Sequence, residues 1–386
     1  MANINDYIIW RGDIPIDEKY KFNEIDSMIL ARFSYLIFDR IDMSDSETIG
    51  SISEKMKDFP NEDFLYNGDK EMITYLGEST RFKNMKVTDY VMTNDKEAEK
   101  QFGAITIHNS DEEMYISYLG TDWTINGWKE DFNMAFMDKV PCQIAGKEYI
   151  EKVALKYPNK KIRIGGHSKG GNVAIYAGIT ASEEIKNRII KIYNYDGPGF
   201  NKKMINKYAN DEIVNKIETY IPQDSVVGRL LNHKEKTTIS LSIEKGILQH
   251  DIFSWQVLKD DLIKSEKNTE NSETIDKTLT DWIEITTSEQ RKIVIDSVFE
   301  ILYSTEAITF GDITNNLPTS IPKILKKYGE LSKGDKENIT NMIKIIINSY
   351  RNVVKERENN KRDNLKIKYK QKLEELDKKY IKRLKK

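Results

Sequence analysis

Cysteine is almost missing from this chain of 386 residues. Cys142 stands alone, which excludes an intrachain disulfide and any small scaffold stapled by several of them. Histidine is nearly as scarce, at four residues. None of them forms an H-E-x-x-H helix, and there is no C-x-x-C, so neither a metal nor an organic cofactor is expected. No uninterrupted apolar run approaches the ~20 residues that span a bilayer. The opening MANINDYIIWRGD has neither the basic start nor the apolar core of a secretory signal, so a cytoplasmic protein is expected. Excess charge of one sign is lacking too. Sixty Lys and Arg against 62 Asp and Glu leave a net charge of -2, a balance that argues for neither a nucleic-acid nor a membrane partner.

What is present is an alternation of strands and helices. Residues 1–84 read mostly as helical. Strands are expected over 85–95, 102–110 and 113–121, the last two joined as a hairpin by Asn, Asp and Ser. A helix over 143–156 carries Ile150, Val153, Ala154 and Tyr157 on one face. Strand 161–165, helix 169–181, strand 189–197, a helix near 201–210, strand 216–225 and strand 237–243 then follow. This pattern predicts an α/β fold with a mostly parallel sheet covered on both faces. Residues 1–262 are expected to form that domain and the polar stretch 263–280 a linker. A helical extension over 281–386 follows, with helices at 290–303 and 335–355. Its last part, 351–386, holds 15 Lys and Arg against 6 Asp and Glu. Leu365, Tyr369, Leu373, Leu376, Tyr380 and Leu384 recur there every three or four residues. A basic amphipathic helix is expected, suited to an anionic membrane surface or a coiled-coil partner.

The stretch KIRIGGHSKGGNVAIYAG (161–178) carries the chemistry. A phosphate-binding loop needs Gly-Lys-Ser/Thr, but Ser168 precedes Lys169, and the glycines do not follow G-x-G-x-x-G. Gly166-His167-Ser168-Lys169-Gly170 instead fits G-x-S-x-G, a sharp strand-to-helix turn. The two glycines keep side chains out of the turn while Ser168 projects above the sheet. The backbone N–H of Lys169 then opens the helix where an oxyanion would form. A nucleophilic serine needs a base, and the base needs an orienting carboxylate. His167 adjoins the serine in sequence and cannot easily turn to face it, and His108 precedes the serine. Of His233 and His250, His250 lies just after the last strand, where the base belongs. Asp196 and Asp224 each follow a strand and are both allowed as the acid; Asp224 sits one strand closer to the histidine loop. YLGTDW is the candidate for the second oxyanion donor, with Gly120 allowing close approach and Thr121 offering its N–H and hydroxyl.

These residues resemble the class-3, fungal-type lipases, and more closely the Mbeg-like family of bacterial α/β-hydrolases. Those lipases carry Arg-Gly-Thr/Ser followed by a Trp and Asp pair; here stand Leu119-Gly120-Thr121, then Trp128 and Asp131. Their Gly-His-Ser-Leu-Gly-Gly elbow is matched by 166–171, with Lys169 in place of leucine. Asp196-Gly197-Pro198-Gly199 echoes their Gly-x-Pro segment, and Asp224-Ser225-Val226 matches their Asp-x-Val loop. The opening DYIIWRGD and the QHDIFSWQV around His250 look like the Mbeg-like family. The resemblance covers roughly residues 1–260. It implies an α/β-hydrolase with Ser168 as nucleophile, Asp224 as acid and His250 as base. The Thr121 and Lys169 amides would form the oxyanion hole. Cleavage of a carboxylic ester of a small molecule or lipid is expected, the alternatives being acyl transfer or thioester hydrolysis on the same triad, or a non-catalytic fold that binds a membrane surface or partner through its basic helix.

Overall fold

A computed structural model describes residues 2–44 and 47–384, with side chains in the last helix only to 368 and at 371–372. Four helices come first: α1 (Ile4–Arg11), α2 (Glu24–Phe33), α3 (Ile49–Met56) and α4 (Asp69–Glu78). Asn3 and Asn23 cap α1 and α2, each closing a reciprocal box with an aspartate three residues on, which satisfies the free N–H groups of the first turn. Strands β1 (Lys86–Asp95), β2 (Lys100–His108) and β3 (Glu113–Tyr118) follow. Helices α5 (Ile125–Asn133) and α6 (Pro141–Lys156) cross over to β4 (Lys161–His167), which runs into α7 (Lys169–Thr180) and α8 (Glu183–Arg188). β5 (Ile189–Tyr195), α9 (Lys202–Tyr208), β6 (Ile217–Pro222) and β7 (Thr237–Ser240) complete the sheet.

The seven strands lie in chain order. The first two pairings are antiparallel and the four from β3 to β7 parallel, so the sheet is the mostly parallel one expected. Side chains alternate across it. Ile116 and Tyr118 of β3, Ile162 and Ile164 of β4 and Ile192 of β5 meet Ile150 and Val153 of α6 and Val173 of α7 in one core. Ile105 and Ile107 of β2, Tyr115 of β3, and Tyr193 and Tyr195 of β5 meet α1–α4 in a second core on the opposite face. Two buried ion pairs lie among those amino-terminal helices: Arg32 with Asp69, and Arg81 with Asp26, each bidentate at 2.5–2.7 Å.

After a small hairpin of β8 (Val257–Leu258) and β9 (Asp261–Leu262) come α10 (Glu270–Ile285), α11 (Ser288–Tyr303), α12 (Phe310–Asn315), α13 (Leu317–Glu330) and α14 (Lys333–Leu384). The stretch read as a linker over 263–280 is instead mostly α10. Its inward face is made of Ser272, Thr274 and Thr278, all buried, and small polar residues of this kind leave no apolar stripe to read. The two helices expected over 335–355 and 351–386 are one continuous helix, α14. Of the apolar positions expected along its basic end, Leu365 is exposed. The side chains of Tyr369, Leu373, Leu376, Tyr380 and Leu384 lie outside the described residues. Among the described residues no helix is long and apolar enough to cross a membrane.

Candidate active site

Ser168 sits between β4 and α7 with φ 58° and ψ -134°. A side chain-bearing residue in that region costs of order 1–3 kcal/mol and persists only where its surroundings hold it. Here the Ser168 N–H donates to the Tyr195 carbonyl at 2.9 Å, and the Gly171 N–H donates back to the Ser168 carbonyl at 2.9 Å. The neighbours at 166, 167, 169 and 170 are buried while Ser168 itself is half-exposed. Gly166 and Gly170 serve close approach: a Cβ on Gly166 would lie 2.5 Å from the Gly170 oxygen, and one on Gly170 2.9 Å from the Leu119 carbonyl carbon. This strand-elbow-helix unit at the middle of a mostly parallel sheet is that of an α/β-hydrolase fold.

His250 ends a helical turn over Gly246–His250 that follows β7. Its Nδ1 lies 2.6 Å from Asp196 Oδ2. Asp196, not Asp224, is therefore the carboxylate that meets His250. It directly follows β5, the neighbour of β4, at φ 52°, and its side chain is 1% exposed. The Ser225 hydroxyl at 2.5 Å and the Gly228 N–H at 3.1 Å both donate to its other oxygen. Asp224 follows β6, one strand further from the elbow, and has other partners. It accepts from the Gly246 N–H at 2.6 Å and from the Thr269 hydroxyl, and its own N–H donates to the Gln249 side chain at 2.8 Å. It ties the histidine loop to α10 and does not touch His250.

His167 has both ring nitrogens engaged by partners other than the serine. Its Nε2 lies 2.7 Å from the His250 carbonyl oxygen, which can only accept, so Nε2 carries the proton. Its Nδ1 is left as an acceptor and, with its own carbonyl oxygen, shares the Tyr35 hydroxyl proton, at 3.2 and 3.1 Å. The two imidazole rings lie 4.5 Å apart. Burial holds His167 well below the usual histidine range, with His250 and Arg32 pushing the same way, so it remains neutral. Arg32 lies 4.4 Å from the Tyr35 ring and 3.9 Å from the Tyr66 ring. His233 pairs with Glu235 at 2.8 Å. His108 lies on β2 beside Thr88 at 3.0 Å, and burial pushes it down to about 4.

The loop after β3 brings Gly120 against the elbow, where a Cβ would lie 2.6 Å from the His167 carbonyl oxygen, and the hydroxyl of the next residue, Thr121, donates to Asp131 of α5. Asp131 is half-buried, and its buried Oδ1 has no hydrogen-bond partner among the described residues. Burial pushes its carboxyl up to about 6, opposed by nearby Lys169 and the Thr121 hydrogen bond and aided by Glu130 and Asp122. Lys169 points inward. Its side chain is 1% exposed, and Nζ donates to the Gln101 carbonyl at 3.0 Å, the Gln101 side chain at 2.5 Å and Glu130 at 3.1 Å. The Glu130 and Asp131 carboxylates raise the Lys169 pKa despite its burial. Its backbone N–H alone is placed at the elbow. Among the described residues no three His, Cys, Asp or Glu side chains cluster as a metal site requires. Sequence reasoning missed Tyr35, Gln101 and Glu130, whose roles depend on long-range contacts. Asp196 was visible as a candidate from its place after a strand.

Among solved structures, the chain is similar to a fungal lipase described in an inhibitor complex as a model for interfacial activation. That match has 15% identity and a TM-score of 0.34, covering 45% of this chain and 70% of that one. The Lip2 lipase of Yarrowia lipolytica matches at 14% identity and a TM-score of 0.30, over 44% of this chain and 67% of that one. The M37 lipase matches at 15% identity and a TM-score of 0.30, over 48% and 70%. No curated protein matches the chain. A family model matches residues 76–300, more than half of the sequence and a span that holds Thr121, the elbow, Asp196 and His250: the chain belongs to the Mbeg1-like family.

Proposed function

We propose that this protein is a serine hydrolase acting on carboxylic esters, with Ser168 as nucleophile, His250 as base and Asp196 as acid. One observation carries the reading. A half-exposed serine held at positive φ in a strand-to-helix elbow shares its end of the sheet with a histidine whose Nδ1 meets a buried carboxylate at 2.6 Å. With Nδ1–H donated to Asp196, His250 keeps its Nε2 lone pair free to take a proton. Ser168 Oγ attacks the ester carbonyl as His250 Nε2 takes the hydroxyl proton. The Lys169 and Thr121 N–H groups stabilise the oxyanion. The same proton leaves on the alcohol, and water, deprotonated by His250, releases the acid and regenerates Ser168. Trp123 on the oxyanion loop and Ile247 and Leu248 on the histidine loop are exposed apolar side chains, which suits an ester with an apolar acyl part.

The test is covalent labelling with a fluorophosphonate, in which Ser168 Oγ displaces fluoride from phosphorus. Labelling of the wild type that disappears in Ser168→Ala is the expected result. Absence of labelling in folded wild-type protein would remove the proposal. Nitrophenyl esters of increasing chain length then define the acyl preference.

A further inference from the structure

The carboxy-terminal helices reach both sides of the proposed catalytic centre. On one side, the amino end of α10 holds the loop after β6. The Thr269 N–H donates to the Gln223 carbonyl at 2.7 Å, and the Ser272 hydroxyl donates to the Ser225 carbonyl at 2.6 Å. Asn271 donates to Asp224 at 3.3 Å, and Asp276 pairs with Arg229. This loop carries the Ser225 hydroxyl and the Gly228 N–H that hold Asp196 Oδ1.

On the other side, α11 and the segment before α12 hold α5. Asp296 pairs with Lys129 at 2.9 Å, Arg291 donates to the Ala135 carbonyl at 2.7 Å, and the Ile125 N–H donates to the Ile308 carbonyl at 2.8 Å. The Phe310 ring meets Trp128 edge-on at 6.1 Å. Helix α5 carries Asp131, the acceptor of the Thr121 hydroxyl. Helix α14 braces the arrangement from outside: Trp282 Nε1 donates to Met342 Sδ at 2.6 Å, Arg357 to Thr274 at 2.6 Å and Lys361 to Glu270 at 2.6 Å.

We infer that the carboxy-terminal helices are the positioning frame of the active site, with Ser272 and Asp276 of α10 setting the Asp196 carboxylate through Ser225, and Asp296 of α11 setting Thr121 through α5. The inference rests on the serine-hydrolase reading for its effect on rate. Two chains of contact converge on the acid and on the oxyanion loop, and both start in residues that never reach the reacting atoms. Ser272 and Asp276 are thus positioning residues. Their loss frees the loop that supplies two of the three hydrogen bonds to Asp196 described above.

The experiment uses the full-length protein and compares wild type, Ser272→Ala/Asp276→Ala, Ser272→Thr and Asp296→Ala. Three quantities are read: the fluorophosphonate labelling rate, the position of the hydrogen-bonded His250 Nδ1 proton by NMR, and the melting temperature. Labelling of the double variant is expected to slow roughly 10-fold, less than the ~10²-fold that a 1 Å misplacement can cost, with a shifted Nδ1 proton. Ser272→Thr, which keeps the hydroxyl, retains both. Asp296→Ala slows labelling and leaves the proton in place, because it acts on the other arm. Wild-type labelling rate and an unmoved proton in the folded double variant would overturn the inference. If the wild type itself is not labelled, the hydrolase reading fails, and the Nδ1 proton alone then decides whether α10 sets Asp196.

Discussion

Two loops leave neighbouring parallel strands and each carries a buried aspartate within its first two residues, yet only one of them meets the histidine. After β5, Asp196 takes φ 52° and turns its carboxylate to His250. After β6, Asp224 spends its oxygens on Gly246, Thr269 and Asn271. Both satisfy the chain order of nucleophile, acid and base. The difference teaches that the order of strands restricts the acid to a short set of positions, and that a single backbone turn chooses among them. The loop after β6 still serves Asp196: its third residue, Ser225, donates to that carboxylate.

The comparison breaks most sharply in the two amide variants. Asp196→Asn is expected to lower ester turnover by about 10⁴-fold, the scale reached when the acid no longer fixes the base's tautomer. Asp224→Asn should keep turnover within about 10-fold and instead lose on the order of 1–3 kcal/mol of stability, because buried donors lose a charged acceptor. Steady-state rates and denaturant melts of the two proteins check this. The reverse ranking would restore Asp224 as the acid.

Asp131, half-buried, offers a third carboxylate in the same neighbourhood, and its effect is a dependence on pH. Its folded pKa of about 6 lies above the ordinary 3.8, so the folded state holds its proton more tightly than the unfolded chain. Stability from this group is full below about pH 4 and falls as pH rises to about 6. At ~1.4 kcal/mol per pKa unit the loss is on the order of 3 kcal/mol. Asp131→Asn is expected to flatten the melting temperature between pH 4 and 6; an unchanged slope would assign that titration elsewhere. The smallest effect belongs to Tyr35→Phe. It removes one hydroxyl from neutral His167, at a cost of about 1 kcal/mol, and should lower turnover only a few-fold. A loss as large as that of Asp196→Asn would place Tyr35 at the reacting atoms.

Local signals carried much of the fold into the sequence. β4, the elbow and α7 are contiguous and short-range, so apolar alternation, paired glycines and a run of small residues announce them within 20 positions. The seven strands were each readable from β-branched and aromatic runs. Helix α10 was not, because its buried face is built of Ser272, Thr274 and Thr278, whose hydroxyls satisfy backbone carbonyls and Arg357. Asp196 was visible as a candidate but lost to Asp224 on strand count. What decides between them, the turn at 196 and the Ser225 and Gly228 donors behind it, is set by groups about 30 residues away. Lys169 stands where the lipase elbow has a leucine; its length lets Nζ reach past the elbow to Gln101 and Glu130, contacts that no spacing predicts.

The inward turn of Lys169 also constrains how this lineage can change. Replacing Lys169 alone by leucine leaves the Glu130 carboxylate in the core without its cation, held by the Gln101 and Cys142 N–H groups, and removing one partner of a buried ion pair costs about 3–5 kcal/mol. Replacing Glu130 alone strands the cation. Each single step is a valley, and only the joint exchange reaches an apolar elbow of the lipase kind. Lys169 and Glu130 are an epistatic pair, and a relative of this protein that has lost one is expected to have lost both.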